Sequence, residues 1–522
     1  MPEYLSPGVY IEEVNTGPRP IEGVGTAMAA FVGFAPAGPA NKPQLITSWQ
    51  QYVETFGALE DGVRNPHMPG AYLSHAVYGY FNNGGNRCYV TRVVPNTTRN
   101  GAVAQPALAQ LPSRVSKAVP SLTLRAKGRP SSDIVVEVTP PSAEDAGEGA
   151  FNLRVKMDAL EESFENVVVG RPAKGAKATA LAEALKTSTL IELVEEKTAG
   201  ALAERAPEVG SYVIKAGQPT EALAVKADSF VGNVDDRSGL EGLEIAEDVT
   251  MVAIPDLMSA YRMGMIDREG VKAVQLALIA HCERMQDRLA ILDPLPDMTP
   301  QEVKRWREKE ANFDSKFAVL YYPWIKVAMP GGEPMTVPPS GHVAGIWARN
   351  DRERGVHKAP ANEIIRGALG PALEITKGEQ DTLNPVGINA IRSFTGRGVR
   401  VWGARTLSSD PAWRYVNVRR LFNYVMKSVE RGTQWVVFEP NDVNLWERVK
   451  RDITAFLTTV WREGALFGST PNEAFYVKCD AELNTPEVRD QGQLIVEIGI
   501  APVKPAEFVI FRFSQMTSGQ QG

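Results

Sequence analysis

Catalysis needs acids, bases, nucleophiles or metal ligands at short, defined spacings, and this chain offers few of them. It has five histidines and three cysteines in 522 residues. His281 and Cys282 are neighbours and could in principle form a nucleophile and its base. Adjacent helical residues, however, point about 100° apart. Cys282 falls on the apolar stripe of a helical pattern with His281 beside it, so both read as packing residues. His67, His342 and His357 lack the i,i+4 partner or cysteine pair that metal sites need. The glycine loops do no better. GVGTAM at 23–28 precedes a strand pattern, whereas a dinucleotide loop follows a strand and opens a helix. GRGVRVWG at 396–403 lacks the Lys-Ser/Thr of a phosphate-binding loop, and no GxSxG is present. The carboxylate pairs Asp235–Asp236 and Glu12–Glu13 sit in polar linkers or on a strand face and read as solvated surface. The sequence therefore assigns no catalytic residue, cofactor site or metal site.

What the chain does carry is equipment for assembly. Residues 475–480 (FYVKCD), 494–501 (LIVEIGIA) and 507–513 (EFVIFRF) are strand-like, and the last is followed only by polar SQMTSGQQG. Near the other end, residues 8–14 (GVYIEEV) form a second β-branched and aromatic run, tethered by NTGPRPIEG at 15–23. Flat apolar strands at a chain's ends are aggregation hazards unless something pairs with them. Two readings stand: each arm folds back on its own domain, or each adds a strand to another copy of the chain.

The bulk numbers fit a globular protein of two or three domains. The chain is 43% hydrophobic and 23% charged with net charge −6, which argues against nucleic-acid binding. Three widely spaced cysteines without CxxC point to a reducing compartment and no disulfide framework. The opening MPEYLSPGVYIEEV lacks a basic stretch leading into an apolar one, so no secretory signal is expected. The longest charge-free stretches are broken by glycine and proline, so no membrane span is expected either.

In chain order, strand patterns at 26–34 and 87–94 flank helical patterns at 48–56, with Ser48 as N-cap, and at 71–82. Between 96 and 240 short β-patterned pieces (LTLRA, DIVVEVTP, FNLRVKM, FENVVVG) alternate with Pro, Gly and Ser, interrupted by an alanine-rich helix at about 178–187. This predicts a small β-rich domain inserted into a larger one and facing outward. From 249 to 330 strands and helices alternate (strands at 249–256, 289–293 and 317–327; a charged helix at 300–312), which argues for an open α/β sheet. A helix at 413–431 follows, with Arg420, Lys427 and Arg431 off its apolar stripe, then a strand at 434–440. A long helix at about 442–464 buries Trp446, Val449, Ile453, Phe456, Leu457, Val460 and Trp461 and turns Arg448, Arg451 and Arg462 outward. Those arginines are either an ordinary solvated helix back or a docking face for an acidic partner.

Several strings, in order, resemble one family. PGVYIEEV (7–14), YFNNGGNRCYVTRV (80–93), VPPSGHVAGIWARNDRERGVHKAPAN (337–362), INAIRSFTGRGVRVWGARTL (388–407), DPAWRYVNVRRL (410–421) and TQWVVFEPND (433–442) through APVKPAEFVIFRF (501–513) are similar to the sheath subunit of contractile phage tails and contractile injection systems. The resemblance covers roughly 1–95 and 245–513 and leaves the 96–240 insert uncovered.

The resemblance implies a mixed α/β (α+β) multi-domain fold. Its parts are an N-terminal linking arm (1–23), an α/β core (24–95 plus 241–385), the inserted domain (96–240), a C-terminal α/β sheath domain (386–490), and a C-terminal strand arm and tail (491–522). It implies no enzyme activity and no cofactor. Subunits of the family stack as hexameric rings around an inner tube and contract to drive that tube through a target envelope. The implied partners are other copies of the chain, the inner tube protein, and baseplate and terminal cap proteins, with no direct nucleic acid and no membrane insertion. The implied location is the bacterial cytoplasm during assembly, as part of a phage tail or tail-like particle that is sometimes released. Val9, Tyr10, Ile11, Val14, Phe508, Val509, Ile510, Phe511 and Phe513 would form the inter-subunit strands, and Arg448, Arg451 and Arg462 would face the tube. Motion would be taken up in residues 15–23 and 499–505, where glycine permits and proline restricts rotation. Two other readings remain from the residues alone: an α/β enzyme with a ligand pocket at the strand ends near 255 or 293, and a static tube or scaffold.

Overall fold

The computed structural model describes residues 21–512 apart from 61, 95–107, 116–119, 128–132, 144, 158–159, 173–175, 197–200, 215–224 and 329–333. The arm residues Val9, Tyr10, Ile11, Val14 and Phe513 lie outside the described residues.

The apolar runs at 26–34, 249–256 and 289–293 and the first half of 317–327 contain fully buried strands, as continuous β-branched and aliphatic stretches should in a parallel sheet covered on both faces, whereas Ile325–Val327 breaks off into a separate three-stranded sheet. The buried strands are β1 (Ala29–Gly33), β4 (Met251–Ala253), β5 (Leu289–Leu292) and β6 (Ala318–Tyr322). With β2 (Gln44–Ile46), β3 (Cys88–Arg92), β7 (Glu363–Ile364), β8 (Ile388–Phe394) and β9 (Gly398–Val401) they build one nine-stranded sheet, ordered β7-β9-β8-β6-β5-β4-β1-β3-β2. The six central strands from β8 to β3 run parallel, and the edges close with antiparallel pairs. The fold is thus mixed α/β. Strands β8 and β9, placed in the C-terminal unit from sequence, belong to this central sheet.

Helices α1 (Trp49–Phe56), α2 (Leu73–Asn83), α3 (Asp256–Arg262), α4 (Arg268–Met285) and α5 (Ser340–Arg354) surround the sheet. Ser48 caps α1 by accepting from the Gln51 N–H at 3.1 Å. Helices α2 and α5 approach unusually closely: a Cβ on Gly345 would lie 2.4 Å from the Tyr80 carbonyl, so only glycine fits there. The helix expected over 300–312 is α-helical only at Pro300–Arg305 and continues as a π-helical turn, Trp306–Glu310, that buries Trp306.

Residues 108–214 fold on a core of their own. A five-stranded sheet centres on Phe151–Met157, whose burial alternates along the strand, and a three-stranded sheet joins Leu108–Pro112, Pro120–Ala126 and Ile191–Glu196.

A third core lies under α6 (Val416–Gly432) and α7 (Val443–Arg462). Asp442 caps α7 by accepting from the Leu445 N–H at 2.8 Å, and Trp446, Val449, Ile453, Phe456, Leu457 and Val460 are buried along it. Trp461 is only partly buried and donates its indole N–H to the Gly468 carbonyl. The strand expected at 434–440 does not form. Gln434–Val436 is a 3-10 turn, and Phe438 stands fully exposed at φ +69°. Its β-branched and aromatic composition misled, because Pro440 and the Asn441–Asp442 cap stop the run before it finds a strand to pair with.

Candidate functional site

In open parallel sheets ligands bind beyond the carboxyl ends of the strands. Here those positions are filled from within. Asp256, just after β4, is fully buried. Its carboxylate accepts backbone N–H groups from Phe34 at 2.5 Å, from Leu73 at 3.2 Å and from Tyr72. It therefore ties the end of β1 to the N-terminus of α2, whose first N–H groups would otherwise lack partners. Gly33 makes room for it, since a Cβ there would sit 2.5 Å from Asp256 Oδ2. Asp293, just after β5, caps α5 by accepting from Ser340 N at 3.1 Å and Ser340 Oγ at 2.6 Å. Burial pushes both carboxyls up to about 7, against the opposing pull of these hydrogen bonds. The pocket expected near 255 or 293 is thus occupied by the protein's own side chains.

The histidines are also structural. His67 stacks on His75 with ring centroids 4.6 Å apart, and its Nδ1 lies 2.9 Å from Ser74 Oγ. His342 is buried at the α2–α5 contact, where a Cβ on Gly79 would meet its ring at 2.4 Å. Burial holds His75 and His342 down at about 4, reinforced by the neighbouring histidine in each case. His281 and Cys282 are both buried, and His281 faces Glu241, Arg284 and Arg288.

A different arrangement lies toward the C-terminal end of the described chain. Strands β10 (Phe475–Lys478) and β11 (Glu497–Ile500) form a two-stranded antiparallel sheet on α7, with no third strand among the described residues. One face, with Phe475, Val477, Ile498 and Ile500, packs on the third core; the other carries Tyr476, whose ring lies across Gly499. A lone two-stranded sheet is marginal, and its outer edges present unpaired backbone groups. Just beyond it, Phe508, Val509, Ile510 and Phe511 are 70%, 68%, 77% and 76% exposed. An apolar run this exposed, following an incomplete sheet in the chain, is the most conspicuous surface feature among the described residues.

Both arm roots are fastened. Ile21 is buried against Gly432 of α6, Val24 N donates to Ser428 Oγ at 3.1 Å, and Thr26 Oγ1 donates to Asp351 at 2.6 Å. Residues 499–505, the segment expected to take up motion, carry fastenings of their own. Ala501 N donates to the Ala474 carbonyl at 2.8 Å and Val503 N to the Ala465 carbonyl at 3.2 Å. Further along, Glu507 accepts from Arg405 at 2.8 and 2.7 Å, Asn384 at 2.9 Å and Tyr415 at 2.9 Å. Burial raises the Glu507 pKa, but these donors outweigh it and hold the carboxyl below its ordinary range.

Arg448, Arg451 and Arg462 are exposed, and helical spacing puts them on one side of α7. Arg448 stacks over Trp435 at 4.4 Å. Arg420, read from sequence as lying off the apolar stripe of α6, is buried in an ion pair with Asp351 at 2.8 and 2.5 Å that joins α6 to α5. This pair, the two capping aspartates and Glu507 escaped sequence reasoning, since each couples positions far apart in the chain.

Two family descriptions match the sequence side by side: the phage tail sheath protein central domain over residues 245–407 and the phage tail sheath C-terminal domain over 408–516. The tail sheath protein of Burkholderia phage BcepMu is 22% identical over 533 residues, covering 98% of this chain and 96% of that protein. The tail sheath protein of Vibrio phage KVP40 is 29% identical over 181 residues, 34% of this chain but only 26% of that protein's length. Among solved structures, the anti-feeding prophage helical sheath in its contracted state superposes with a TM-score of 0.59 at 25% identity, covering 98% of this chain and 100% of that one. With matches running unbroken over more than half of its length, the chain belongs to the phage tail sheath family and is a structural contractile-sheath subunit.

Proposed function

We propose that the chain polymerises as stacked hexameric rings around an inner tube and contracts to drive that tube through a target envelope. The observation that carries this reading is the incomplete β10–β11 sheet beside an exposed apolar arm. The N-terminal run with Val9, Tyr10, Ile11 and Val14, and the C-terminal run Phe508–Phe513, add as strands to the β10–β11 sheet of neighbouring copies. A strand of six to eight residues gains about four to six backbone hydrogen bonds, at roughly 0.5–1.5 kcal/mol net each. Burying its large side chains adds on the order of several kcal/mol, at about 25 cal/mol per Å². Links of that strength hold while subunits swing.

The exposed arginine face of α7 (Arg448, Arg451, Arg462) docks on an acidic inner tube, and baseplate and cap proteins terminate the sleeve. The unit boundaries given above belong to this proposal, with the junction to the C-terminal unit moved past β9. The subunit works mechanically rather than as an enzyme, consistent with its filled strand ends, and assembles in the bacterial cytoplasm as part of a phage tail or tail-like particle.

Negative-stain microscopy of the purified full chain tests the reading. Cogwheel-ended cylinders are expected, and co-assembly with tube and baseplate gives a second, longer form. Small soluble oligomers alone would overturn the polymer, and a single length under both conditions would leave a static tube.

A further inference from the structure

The Glu507 clamp invites a question that strand exchange alone does not answer: where the arm stops belonging to its own subunit. The chain leaves β11 at Ile500 and is held at Ala501 and Val503 by backbone bonds to Ala474 and Ala465. The Val503 carbonyl also accepts from Asn417 Nδ2 at 3.1 Å. At Glu507 one carboxylate takes four hydrogen bonds from three side chains; just beyond it the Phe508, Val509 and Ile510 side chains are largely exposed. The receptor is itself rigid. Arg405 is 10% exposed, its backbone N–H donates to Asn389 Oδ1 at 2.7 Å, and its Nη1 donates to the Asn384 carbonyl at 3.1 Å. A bidentate Arg–carboxylate pair held this way is directional as well as strong. Asn384 and Arg405 lie in the stretch matched by the central domain and Tyr415 in that matched by the C-terminal domain, so the carboxylate straddles the seam between the two.

We infer that Glu507 is a positioning residue for assembly: it fixes the point and direction at which the C-terminal arm leaves the body, and so sets the arm's reach to the next copy. The inference rests on the arm-pairing reading above. Tension on the arm is delivered to the domain seam at Glu507 instead of peeling β11 from β10 one hydrogen bond at a time. Opening the clamp frees residues 504–507, lengthening the tether by roughly 13 Å at about 3.3–3.6 Å per residue. A longer, looser tether lowers the effective concentration of the arm at its acceptor edge.

The test compares full-length wild type, Glu507→Gln and Glu507→Asp, with Ile510→Asp/Phe511→Asp as the arm control. Two quantities are read: hydrogen exchange of the Val503 amide in dispersed chains, and the critical concentration for tube formation. Glu507→Gln is expected to melt with the wild type, yet to exchange at Val503 at least tenfold faster and to raise the critical concentration at least tenfold. Glu507→Asp, which keeps the charge, restores most of both. Should Glu507→Gln fail to fold, Asn384→Ala removes a single bond and is expected to shift both readouts the same way by a smaller factor. Wild-type exchange and assembly in Glu507→Gln overturn the clamp, as does a Glu507→Asp no better than Glu507→Gln. If the arm control itself assembles like wild type, the arm-pairing reading falls. If the control is blocked while Glu507→Gln is normal, the clamp alone falls.

Discussion

The nine-stranded sheet and the two-stranded sheet solve opposite problems. In the first, the places where a parallel sheet would take a ligand are filled by Asp256 and Asp293, which spend their hydrogen-bonding capacity on the ends of α2 and α5. In the second, β10 and β11 find no further strand among the described residues, and an exposed apolar run follows them in the chain. One region is finished inside the subunit; on the proposed reading the other is finished only in company. On the proposed reading the interaction surface is a sheet edge rather than the crevice of the sheet, and a fold that elsewhere hosts pockets serves as a rigid block to which arms are tied.

Three experiments separate the regions. The largest effect is expected from Ile510→Asp with Phe511→Asp. Both side chains are exposed, so the thermal midpoint of the body stays put, as surface changes within about 0.5 kcal/mol require, while tubes vanish from sedimentation. A large drop in midpoint would place the arm inside its own subunit and erase the contrast. Next is Asp256→Ala, which strips the acceptor from three buried backbone N–H groups at about 1–3 kcal/mol each. Chemical denaturation should show a loss of about 3 kcal/mol or more. The Asp256 pKa is raised from 3.8 to about 7, so the stability it contributes is fully present below pH 3.8 and is lost as pH rises through about 7. The alanine variant therefore differs most from its parent at acid pH. A loss below about 1 kcal/mol would mean that water replaces the carboxylate, and that the crevice is open after all.

How much of this was legible in the sequence follows from range. The buried strands, the Ser48 cap and the α7 stripe rest on local periodicity and local hydrogen bonds, and those were readable within a dozen residues. The exposure of Phe508, Val509 and Ile510 was readable for the same reason: the run holds more large apolar residues than its neighbours in sequence could cover. Segment 434–440 failed because a β-rich composition does not supply a pairing partner. The fastenings of residues 499–505 were not readable because they come from Ala465, Ala474 and Asn417, far off in the sequence. Arg420 looked solvated because its ion-pair partner, Asp351, lies 69 residues away on another helix.

The smallest expected effect is on pH, and it distinguishes the regions by sign and window. Burial first, then His75, lowers the His342 pKa from 6.5 to about 4, and His75 in turn faces His67. These groups fold neutral. The stability they contribute is complete above pH 6.5 and is lost as pH falls toward 4, by about 1.4 kcal/mol per pH unit for each group held neutral. Glu507 behaves differently: its carboxyl is held below its ordinary 4.5, so its contribution is present above pH 4.5 and lost only below it. Between pH 6.5 and 5, acid therefore loosens the α2–α5 contact while the arm root stays shut. Asp256 and Asp293 push the other way in that window, so the parent's net slope is a difference, and the informative quantity is the slope change on substitution. Denaturation of His342→Gln across this range should show a flatter acid decline than its parent, by up to about 1.4 kcal/mol per pH unit. Glu507→Gln should run parallel to its parent. A slope change in Glu507→Gln but not in His342→Gln would reverse the assignment, making the arm root the acid-sensitive part and the sheet body the indifferent one.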